Sequence, residues 1–116
     1  MMITPTESCN VGYLPPDAMR VAKIIRTFMR RNCPFPRWDG STYFYSPAEW
    51  RERGELYGLE SILIVMHDGG ELPRFCDWAR QDYPAMERFS KRLTAAKLYV
   101  EQCTCWYSAI YHLPRR

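Results

Sequence analysis

Between Gly58 and Gly69 the chain reads Ser61-Ile62-Leu63-Ile64-Val65-Met66, an apolar run without polar alternation. A strand with one wet face alternates apolar and polar residues, so a run that does not alternate is covered on both faces. The run is therefore the expected central strand, and the rest of the chain must supply a layer on each side of it. Upstream, Pro15-Pro16-Asp17 opens a helix to about Asn32, with Ala18, Val21, Ala22, Ile25, Phe28 and Met29 recurring at helical spacing. Asn32, Pro34 and Pro36 end it.

Trp38-Asp39-Gly40-Ser41 reads as a turn and Thr42–Tyr45 as a short strand. Ser46-Pro47-Ala48-Glu49 is a capping box for a short helix that ends by Gly54 or Gly58. His67-Asp68-Gly69-Gly70 closes the central strand into a loop that runs through Leu72-Pro73. Asp82 caps a further helix, with Pro84 in its first turn and Met86, Phe89 and Leu93 as its apolar stripe. From Leu98 to Leu113 the tail is dense in β-formers and predicts one bent strand, or two strands with a break near Cys103-Thr104. The expected architecture is an arm over 1–14 and a single domain over 15–116. That domain is α+β, or less readily α/β, with a three- or four-stranded sheet and about three helices. A chain of 116 residues suits one such domain.

Composition excludes some functions. With 47% hydrophobic and 15% aromatic residues, disorder is excluded. No apolar run reaches the length of a transmembrane helix, and residues 1–17 lack the basic and apolar regions of a secretory leader. Five cysteines, Cys9, Cys33, Cys76, Cys103 and Cys105, cannot all pair within one chain, and reduced core cysteines are expected. A cytoplasmic protein with no membrane contact is the resulting expectation.

Three groups of residues bear on chemistry. His67-Asp68 follows the most buried strand, where a general base or a ligand site is well placed, although an ordinary strand-ending turn has the same sequence. Zinc would need more than the single Cys103-x-Cys105 pair, so no metal or cofactor is expected. Gly69-Gly70 is followed by Glu71 and makes no phosphate loop. The charge pattern is more specific. The net charge of +3 belongs to residues 1–45, which hold six Lys and Arg against three Asp and Glu; residues 46–116 are neutral. Arg20, Lys23, Arg26, Arg30 and Arg31 lie on the first helix and Arg37 follows it, a local field that draws an acidic protein surface or a phosphate backbone. Lastly, aromatic residues exceed the needs of a small core. Trp38 beside Arg37, and Tyr107 and Tyr111 in the tail, either reach a surface, where Arg and aromatics favour protein contacts, or, for the tail pair, pack in a sheet covered on both sides.

The stretch Ile64–Gly70, a following helix, and Tyr99–Tyr111 with Cys103-Thr104-Cys105-Trp106 resemble small uncharacterised proteins of bacterial phages and plasmids. The similarity spans about residues 60–112. It implies a mobile-element accessory protein, for which inhibitors of host defence, anti-CRISPR proteins among them, are precedents; these act by occluding a target surface. Together these readings point to a non-catalytic protein-binding protein that blocks a host nucleic-acid-binding or nuclease complex. The contacts would come from Arg20, Lys23, Arg26, Arg30, Arg31, Arg37, Trp38, Tyr107 and Tyr111. Alternatives are a nucleic-acid-binding protein using helix 17–31, and a small enzyme centred on His67 and Asp68.

Overall fold

Proline fixes φ and supplies no N–H, which suits the first turn of a helix, and α1 starts at Pro16 and runs to Asn32. In the computed structural model, which describes residues 14–34 and 43–114, its buried face is Ala18, Val21, Ala22, Ile25, Phe28 and Met29. Asp17 in the first turn and Arg30 and Arg31 in the last complement the helix dipole. Leu14, on the arm side of the expected boundary, is buried in the same core.

The sheet is four-stranded and antiparallel: β1 (Tyr43–Tyr45), β2 (Leu63–Met66), β3 (Leu98–Gln102) and β4 (Tyr107–His112), in the spatial order β1-β2-β4-β3. The fold is α+β. The apolar run is internal, with β1 on one side and β4 on the other. Its alternate residues serve two separate cores, Leu63 and Val65 in one and Ile64 in the other.

On one face lie α1, the short α3 (Pro73–Cys76) and α4 (Tyr83–Ala95), packed on Phe44, Leu63, Val65, Leu98 and Ile110. Phe28 of α1 meets Phe75 of α3 edge-on and Phe89 of α4 at a tilt, both at 5.2 Å between ring centres. Asp82 caps α4 by accepting the Ala85 N–H. Helix α3 is an addition to the three expected; with no room for a hydrophobic period in so few residues, it left no trace in the pattern. A 3₁₀ turn, Trp78–Arg80, joins it to α4.

On the other face lies α2 (Pro47–Glu52), held at its start by the full capping box: Ser46 Oγ accepts the Glu49 N–H, and Glu49 accepts the Ser46 N–H. It plants Trp50 on Ile64, Tyr107 and Ala109. Gly58, after α2, has φ +81°, and a Cβ there would stand 2.9 Å from Ile64 and 3.0 Å from Ala109, so glycine alone fits.

The tail is two strands, not one. Thr104 Oγ1 accepts the N–H groups of Trp106 and Tyr107 and closes a loop over 103–106. Cys103 and Cys105 therefore lie in that loop and not, as a continuous strand would have it, on one strand face.

Candidate functional site

At 100° per residue, the cations of α1 fall on two flanks of its solvent side. Lys23, Arg26 and Arg30 make one flank, with Lys23 and Arg30 roughly two turns apart. Arg20 and Arg31 make the other. Arg20 is partly neutralised by Asp17 at 3.2 Å, and Asp17 also meets His112 Nε2 at 3.0 Å. Lys23, Arg30 and Arg31 are exposed and have no acidic partner among the described residues. Packing adds two further cations. Arg88 of α4 reaches across to donate to Asn32 Oδ1 at 3.3 Å, and Arg92 lies one turn further on the same flank. The cationic surface therefore continues from α1 onto α4. Nothing in the local sequence of α4 signals this, because it depends on which side of α4 meets α1.

The expected partner-binding set is not one surface. Tyr107 and Tyr111 share the sheet face opposite α1, because residues two apart on a strand point the same way. Tyr107 is fully buried: its ring packs 5.0 Å from Trp50 and 4.8 Å from Trp106, and its hydroxyl donates to the Tyr57 carbonyl. It does not reach the surface, which corrects its place in the expected contact set. Tyr111 is half-buried and stacks on Tyr99 at 5.2 Å. Tyr45, Trp50, Trp106, Tyr107 and Tyr111 gather in this second core, where Arg53 also lies 4.5 Å over the Trp50 ring. Arg37 and Trp38 lie outside the described residues.

His67 is buried at the end of β2, and its Nε2 shares a 2.8 Å hydrogen bond with Ser108 Oγ of β4. Burial lowers its pKa, against smaller opposing pulls that include Asp77 and, more weakly, Asp68. Asp68 itself is exposed. A nucleophilic Ser–His pair needs a group orienting the other ring nitrogen and open approach to the hydroxyl. Here Nδ1 has no hydrogen-bond partner among the described residues, and Ser108 is fully buried. In this arrangement the pair is a polar tie between two central strands.

Cys76, Cys103 and Cys105 form no disulfide among the described residues. Burial pushes the Cys76 thiol far up, and burial with Glu101 raises Cys103 to about 11, so neither is a thiolate at neutral pH. Among the described residues no three His, Cys, Asp or Glu side chains converge as a metal site, and no helix is long and apolar enough to cross a membrane.

One surface feature had no sequence forewarning. A groove of about 510 Å³ runs between α4 and β3, with Phe75, Cys76, Met86 and Val100 among its apolar lining. Trp78 and Tyr83 stand at it, 62% and 54% exposed, their rings 6.1 Å apart. No family model, curated protein or solved structure matches the chain.

Proposed function

We propose that the protein is a non-catalytic binding protein that docks the cationic face of α1 on an acidic surface of a protein partner. The observation that carries this is the exposure of Lys23, Arg30 and Arg31 with no acid to neutralise them among the described residues, on a helix whose other face is fixed in the core. Arginine at such a face gives bidentate contacts to carboxylates, and the rigid helix orders few side chains on binding. Following the resemblance of residues 60–112, the partner is a host nucleic-acid-binding or nuclease complex inside a bacterial cell. The protein acts there as a steric inhibitor supplied by a mobile element.

The test is capture from bacterial lysate with and without nuclease, using the wild type and the Arg30→Glu/Arg31→Glu double variant. A stoichiometric protein partner should survive nuclease, and the double variant should weaken its binding at least about tenfold. Capture that vanishes with nuclease would replace the protein partner by nucleic acid. Equal capture by both proteins would remove α1 as the contact face.

A further inference from the structure

We propose that the groove between α4 and β3 is a binding site for an uncharged, flat aromatic small molecule, with Trp78 and Tyr83 as its walls.

One flank of one helix supplies most of the site. Tyr83, Met86, Glu87, Ser90, Lys91 and Thr94 recur at three and four along α4, so they line a single side of it over roughly 16 Å. Phe75 and Cys76 of α3 and Val100 of β3 add apolar lining. A cavity of about 510 Å³ is the size that takes a small molecule, and mostly apolar walls with a few polar groups are the usual make-up of such sites.

The wall formed by Trp78 is set in place before any ligand arrives. Its side chain is exposed, yet the turn that carries it is clamped to β3. The Trp78 N–H donates to Gln102 Oε1 at 3.0 Å, and Gln102 Nε2 donates to Asp77 Oδ1 and to the Thr104 carbonyl, both at 3.1 Å. Asp77 Oδ1 also accepts the Ala79 N–H. The whole Gln102 amide is thus spent on fixing this turn. The Tyr83 ring stands 6.1 Å from the Trp78 ring at 52°, so the two make a corner at the groove. Exposed rings on a fixed backbone gain contact on binding at little cost in ordering.

The chemistry of the lining selects the occupant. A third ring packs offset or edge-on against such a corner, and the Met86 thioether also favours a ring as its neighbour. Among the described residues the charged groups of the lining are Glu87 and Lys91, and they pair with each other at 3.1 Å. A charged ligand would lose its hydration there without finding a free counter-charge, whereas an uncharged one loses little. The hydroxyls of Ser90 and Thr94 have no hydrogen-bond partner among the described residues and can serve a polar substituent at the end away from Trp78. An extended peptide is poorly served, because Leu98 is wholly buried and β3 offers no continuous edge to pair with. The groove lies on the flank of α4 opposite Arg88, apart from the cationic face.

Titration of the full chain with N-phenyl-1-naphthylamine, its fluorescence excited directly, tests the proposal. The dye should saturate at one molecule per chain. Its 8-sulfonate, the same rings bearing a negative charge, should bind at least tenfold more weakly. Trp78→Ala removes a wall and Ser90→Phe fills the groove. Each should weaken the neutral dye at least tenfold with the circular dichroism unchanged, and either one decides if the other fails to fold. Absence of saturable binding, equal affinity for the sulfonate, or a dye indifferent to a folded variant would overturn the site.

Discussion

His67 shows how burial acts on a single titratable group. Its pKa is lowered below 6.5, with desolvation as the main cause. As pH falls below about 6.5 the unfolded chain takes up a proton there that the folded chain refuses, so protonation favours unfolding. The stability present above that pH is lost progressively as the pH falls toward the lower folded value. The urea midpoint of the wild type should therefore drop between about pH 7.5 and pH 5.5 by more than that of His67→Gln, which cannot titrate. Parallel slopes for the two proteins would show that His67 is not the group responsible. The sequence marked His67 and Asp68 together as either a site or an ordinary turn, because neighbours in sequence are the only neighbours visible there. Strand pairing supplied Ser108 instead, forty-one positions away.

Elements whose signals are local were readable. The periodic face of α1, the caps at Ser46 and Asp82 and the apolar run of β2 each depend on residues within a turn or a strand of one another, and all appear where expected. The capping box has a measurable worth. Ser46→Ala removes the acceptor for the Glu49 N–H and should cost about 1 kcal/mol by urea titration. A loss under about 0.3 kcal/mol would mean that the packing of Trp50 alone holds α2. What was not readable is which face of β4 each side chain serves. Alternation put Tyr107 and Tyr111 on one side, but only the placement of α2 shows that side to be covered. The tail aromatics suited an interface and a sheet covered on both sides equally well, and the second is what Tyr107 and Trp106 build with Trp50.

The whole molecule is a sheet with a core on each side, and both cores share the same strands. Neither layer holds its strands without the other, because Ile64 lies between Leu63 and Val65 and faces the opposite way. Trp50 and Trp106 belong to the α2 side, whereas most helical residues belong to α1 and α4 on the other. Tryptophan fluorescence and far-ultraviolet circular dichroism should accordingly give coincident urea transitions. In a Trp38→Phe/Trp78→Phe background, which leaves only Trp50 and Trp106 to report, an earlier fluorescence transition would mean that the α2 layer melts alone. The cationic surface is likewise legible only at this scale, since α1 announced its own charges but the contribution of Arg88 awaited the docking of α4.

The double-sided burial of β2 also bears on how the chain is made. Its neighbour β1 precedes it, but β4 follows only after about forty more residues. A ribosome therefore releases the stickiest segment of the protein well before the strand that shields it. Over that interval Leu63–Met66 has one neighbour and one bare edge, the condition in which nascent chains recruit chaperones or one another.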